Sequence, residues 1–162
     1  MDMARRVGAA IASRNVAIVY GGGRVGLMGA LADAALAANG RVVGVIPQML
    51  FDREVAHTGL SELHVVRTMA ERKDMMGELS DAFLTLPGGT GTMDELFEAW
   101  TWTQLGLQRK PSALLNFGGY YDPLIQFLDR SVAEGFLDER NRSNLWVDDD
   151  LDALIERLCT FA

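Results

Sequence analysis

Between Leu86 and Glu95 the chain reads LPGGTGTMDE. The glycines in Pro87-Gly88-Gly89-Thr90-Gly91-Thr92 allow successive backbone N–H groups to turn into one concavity with a helix starting at its rim. Unpaired amides and the positive end of a helix dipole favour an anion there, and glycine lets the backbone come close to it. The Gly-Lys-Ser/Thr of nucleotide-hydrolysing loops is not present, so a single phosphate is the expected guest. The same letters carry a plainer meaning, because Thr92-x-x-Glu95 has the spacing of a capping box that satisfies the first amides of a helix. The glycines ahead of it favour the phosphate reading. Glu95, if not spent as a cap, shares a helical face with Ala99 and Trp102. A carboxylate close to a phosphate site suits chemistry on a sugar: cleavage of a glycosidic bond builds positive charge on the ring, which a fixed carboxylate can stabilise, or it can activate a water.

A second candidate lies in MAERKDMMGEL, where Met69, Arg72, Met76 and Leu79 recur at helical spacing. The pattern places Arg72 on an inward-facing apolar stripe. There it either snorkels or pairs with a structural carboxylate, or offers its planar fork to a phosphate or polar sugar edge. Lys73 adjoins it and is, with Lys110, one of the only lysines in the chain. A third candidate is GGGRVG after Tyr20, in which Gly21, Gly23 and Gly26 meet the G-x-G-x-x-G spacing. The next apolar run, VVGVI, ends in Pro47-Gln48, without the acid that would hold a ribose hydroxyl, so NAD is not expected. Tight turning and close helix packing explain these glycines equally well.

Loops of this kind need a scaffold that presents them together. Short apolar runs alternate with stretches of helical period, the signature of βαβ units around a parallel sheet. Strands are expected at Val16–Tyr20, Val42–Ile46, His64–Arg67, Ala82–Leu86, Ala113–Phe117 and Leu145–Val147. Helices are expected at Asp2–Arg14, Leu27–Ala38, Met69–Leu79, Met93–Leu105, Tyr121–Glu134 and Asp150–Phe161. Ligands in such α/β folds sit beyond the carboxyl ends of the strands. Phe97, Trp100 and Trp102 read as core or subunit-interface aromatics, and Asp148-Asp149-Asp150 as a solvated helix cap, not a metal site.

The chain has 162 residues, 49 % of them apolar, and a net charge of −7. That length suits one domain. The charge argues against a nucleic-acid or membrane-surface partner. A single cysteine, Cys159, and two histidines, His57 and His64, exclude a disulfide framework and a thiolate zinc site. No apolar run approaches the roughly 18 residues of a membrane span. A reducing cytoplasm is the expected setting.

The sequence resembles the LOG (LONELY GUY) family of cytokinin riboside 5′-monophosphate phosphoribohydrolases, long labelled lysine decarboxylase-like. The resemblance rests on YGGGRVGLMG, on GVIP followed by Glu54 and His57, on Glu71-Arg72-Lys73, on SDAFLTLPGGTGTMDE, and on TWTQLG, KP, GYYDPL and RSVAEGF, which together cover nearly the whole chain. It implies a Rossmann-like three-layer α/β sandwich with a mostly parallel sheet, a homodimer, no cofactor, and release of free base and ribose 5-phosphate from an adenine-type nucleoside 5′-monophosphate. Carried over by position, the catalytic pair is Arg72 and Glu95. The substrate contacts are Glu54, Arg72, Lys73, the run Gly89, Thr90, Gly91, Thr92, Met93, Asp94 and Glu95, and Thr101. Members of the family begin with a strand and a Gly-Ser loop, whereas this chain opens on MDMARRVGAAIASRN, so the native product is expected to begin upstream. Two other readings compete. A nucleotide or molybdenum-cofactor carrier of the same fold needs the loop but has no use for Glu95, and a pyridoxal phosphate decarboxylase finds no recognisable setting at Lys73 or Lys110.

Overall fold

The run VVGVIP is buried at all six positions, as a strand covered on both faces must be. In the computed structural model, which describes residues 1–53 and 55–161, it is the middle strand of the first of two units, Met1–Ser80 and Asp81–Ala162. The first unit runs α1 (Asp2–Ala12), β1 (Ile18–Tyr20), α2 (Gly26–Ala37), β2 (Val42–Pro47), α3 (Gln48–Phe51), β3 (Glu62–Val66) and α4 (Met69–Leu79). Its strands pair in the order β1-β2-β3, all parallel, with Ile18 opposite Val42 and Val45 opposite His64. Small residues let α1 pack closely on α2, and Ala12, Ala32 and Ala35 join Ile18, Tyr20 and Val42 in one buried cluster.

The second unit runs β4 (Phe83–Thr85), α5 (Thr90–Gln104), β5 (Ser112–Leu115), a 3-10 turn at Phe117–Gly119, α6 (Asp122–Ala133), α7 (Glu139–Ser143), β6 (Leu145–Asp148) and α8 (Leu151–Phe161). Its strands pair β4-β5-β6, again parallel. Leu96 and Trp100 of α5 pack with Leu114, Tyr121, Leu128 and Leu145, and truncating one such leucine to alanine costs about 2–5 kcal/mol. The Trp100 indole N–H donates to Asn141 O at 3.0 Å, so burial leaves that donor satisfied. Asp150 caps α8 as its sequence suggests, accepting from the amides of Asp152 and Ala153 at 2.9 and 3.1 Å.

All the expected strands and helices are present; the helix Met69–Leu79 keeps its expected ends and the other elements shift at one end or both. The first strand shortens to Ile18–Tyr20 and leaves Val16 exposed. The third begins at Glu62 instead of His64. The helix expected from Met93 starts at Thr90. That last shift decides how the second glycine loop is used.

Candidate functional site

Gly89 is the N-cap of α5, in extended conformation (φ −98°, ψ −152°), and no side chain caps the helix. The alternative reading of Thr92-x-x-Glu95 as a capping box is therefore not met, since Gly89 and not Thr92 is the cap. The helix begins at Thr90, so Thr92 is its third residue and cannot serve as cap. Glycine as N-cap brings no side-chain oxygen to the helix's first amides, the groups an anion at the loop would take. Two tyrosines orient that loop from below. Tyr120 donates its hydroxyl to Gly88 O at 2.8 Å and Tyr121 donates to Leu86 O at 2.6 Å. Every peptide here is trans, so a Gly88 carbonyl held toward Tyr120 turns the Gly89 N–H the opposite way. Burial, with Tyr120 beside it, pushes the Tyr121 phenol up to about 12, which keeps it a donor at neutral pH.

The glycines of the loop have different reasons. A Cβ on Gly88 would collide with the Thr92 hydroxyl, so glycine there is a packing requirement. A Cβ on Gly89 or Gly91 would meet no atom within 4 Å. Among the described residues nothing requires glycine at those two positions, while a ligand seated against the main chain would.

Along the exposed side of α5, Thr90, Met93, Asp94 and Thr101 line an open groove of about 460 Å³ with Phe97 and Trp102. Four expected contact residues thus share one surface. Glu95 is half-buried and does not line the groove. It lies further round the helix, on the face of Ala99 and Trp102, and Trp102 borders both.

In the first unit Arg72 is 8 % exposed, which removes the snorkelling alternative. Its Nε–H donates to Val45 O at 3.1 Å. Its guanidinium lies where a Cβ of Gly21 would be, so Gly21 makes room for an arginine. The ends of the expected stripe do not follow it inward: Met69 and Leu79, the first and last residues of α4, are 43 % and 45 % exposed, while Met76 is half-buried. Lys73 is half-buried. Glu71 belongs to a helix cap. Thr68 accepts from the Glu71 amide at 3.1 Å, and the Glu71 carboxylate takes the Arg67 amide and guanidinium at 2.8 and 2.6 Å. The hydrogen bond from Arg67 holds its carboxyl below the usual range. Glu54 lies outside the described residues.

The family model described as "Possible lysine decarboxylase" matches residues 28–158. A cytokinin riboside 5′-monophosphate phosphoribohydrolase of Rhodococcoides fascians is 50 % identical over 155 residues, covering 95 % of this chain and 78 % of its own. The chain belongs to the LOG family. An Arabidopsis thaliana protein of the same name is 46 % identical to the LOG chain over 84 % of it, and the LOG chain spans 64 % of that relative, somewhat under two thirds. The fold is shared more widely. A molybdenum cofactor carrier protein of Chlamydomonas reinhardtii superposes with a TM-score of 0.71 over 98 % of the LOG chain and 87 % of its own, at 22 % identity. That likeness carries the α/β, Rossmann-like architecture and nothing about activity.

Tyr120 and Tyr121 have no assigned role in the sequence of the LOG chain, although GYYDPL contains both. Their bonds reach back 32 and 35 residues, and only the fold brings those positions together.

Proposed function

We propose that the protein hydrolyses the N-glycosidic bond of adenine-type nucleoside 5′-monophosphates, cytokinin riboside 5′-monophosphates or AMP, and releases free base and ribose 5-phosphate. The observation that carries this reading is the start of α5: a glycine N-cap without a side-chain cap, followed within two turns by the Glu95 carboxylate. The names of the relatives support the same substrate class. In this reading the loop amides hold the 5′-phosphate, so that binding energy remote from the bond orients the sugar. Water adds to the anomeric carbon as the carbon–nitrogen bond breaks. Its electron pair leaves with the base, which takes up a proton, and the water gives one up to Glu95. Arg72 orients ribose or phosphate and balances charge, with Glu54, Lys73 and Thr101 as further contacts. The two units serve as one nucleotide-binding domain. A homodimer in the cytoplasm is proposed on the apolar Leu105 and Leu107, 65 % and 72 % exposed, and on the lone Cys159.

Incubation with AMP and with prenylated AMP, followed by chromatography of free base, tests the reading. Replacing Glu95 by Gln should cut turnover by about 10²- to 10⁴-fold, the usual contribution of a positioned acid–base group, while AMP still binds. Binding of both nucleotides by the wild-type protein with cleavage of neither would replace the enzyme by a carrier.

A further inference from the structure

The turn that accommodates Arg72 is itself strapped down. Residues 55–57 run antiparallel to residues 22–24, with a bridge between Gly23 and Ala56. The Arg24 amide donates to Val55 O and the His57 amide to Gly22 O, both at 2.8 Å. From the other side, the Tyr20 hydroxyl donates to Gly23 O at 3.1 Å. Burial, and then the nearby Asp33 carboxylate, push the Tyr20 phenol upward, so it remains a donor.

His57 fastens the strap. Its side chain is 12 % exposed. Nδ1 accepts the Gly59 amide at 3.1 Å, which leaves the proton on Nε2, and Nε2 lies 2.9 Å from Asp33 Oδ1 in the middle of α2. One imidazole with both ends engaged ties segment 55–59 to the helix that leaves the glycine turn. Next to that turn, Gly21 adjoins the Arg72 guanidinium and Val45 O receives its Nε–H. Loosening the strap lets the turn move off the guanidinium, and Arg72 gains rotamers it does not now have.

We propose that His57 is a positioning residue that, through Asp33 and the first glycine turn, holds the Arg72 guanidinium in one orientation. Its bearing on catalysis rests on the reading of Arg72 as a substrate contact. The test uses a spectroscopic readout beside turnover. In ¹⁵N-labelled protein, the Arg72 Nε–H resonance is assigned by its loss in Arg72→Lys, and its hydrogen exchange is measured. His57→Ala should accelerate that exchange about tenfold and lower kcat/KM on AMP by about ten- to a hundredfold. His57→Gln, which can still donate to Asp33, should restore both to within about threefold of wild type. Asp33→Ala removes the same tie from a carboxylate that is 72 % exposed, so it carries the test if His57→Ala does not fold. Unchanged exchange in the alanine variants overturns the proposal whatever their turnover. Faster exchange together with full activity of Arg72→Ala leaves the positioning intact and removes Arg72 from the reaction.

Discussion

Replacing Tyr120 by Phe removes the hydroxyl that holds the Gly88 carbonyl and frees the next amide to turn. AMP binding, measured by calorimetry, should weaken by the worth of one hydrogen bond, about 1 kcal/mol or roughly fivefold. Tyr120 is 53 % exposed, so the melting temperature should hardly move. An equal loss of stability would mean that the hydroxyl braces the fold and not the loop. Gly21→Ala makes the complementary case. The new methyl meets the buried Arg72 guanidinium and no backbone, so the chain should still fold, with a stability loss of about 1–3 kcal/mol from the displaced buried group. The Arg72 guanidinium must shift, and turnover should fall by about tenfold or more. Wild-type turnover in Gly21→Ala would show that the orientation of Arg72 does not matter.

The spacing Thr-x-x-Glu occurs twice in this chain, and the two copies behave differently as helix starts. Thr68 caps α4 and accepts the Glu71 amide, whereas Thr92 sits inside α5 and Gly89 is the cap. The surroundings differ: Arg67 gives Glu71 a partner beside Thr68, while α5 has already started at Thr90, ahead of Thr92. Thr68→Ala should therefore cost about 1 kcal/mol in chemical denaturation, the usual worth of a cap, and Thr92→Ala should show no cap loss. The Glu71 carboxyl is held below its ordinary value by Arg67. Its stabilisation is thus present above the unfolded-state value of about 4.3 and is lost as pH falls through the lower folded-state value. Thermal melts of wild type and Glu71→Gln should converge on acidification, and a gap that persisted in acid would contradict the pairing. Six strands and six helices were legible in the sequence because long apolar periods are local signals. Helices α3 and α7, of four and five residues, are too short to show a period. That a helix starts out of the glycine loop was legible from its letters. The tyrosine braces and the His57 tie were not, since they join positions 24 to 35 residues apart.

For the molecule as a whole, the net charge of −7 repels a nucleotide at long range, and raising ionic strength should not weaken its capture as it would at a basic surface. Leu105 and Leu107 extend past the end of α5 with most of their surface in solvent. Leu107→Glu should convert the proposed dimer to monomers in sedimentation without altering the circular dichroism, whereas a monomeric wild type would remove the dimer from the proposal. On the proposed function the phosphate is gripped by peptide N–H groups, which keep their protons and gain none across the pH range of the folded protein, so acid cannot switch that grip off. The acid limb of the turnover profile then belongs to the substrate, through the second ionisation of the bound phosphate, about 6 when free.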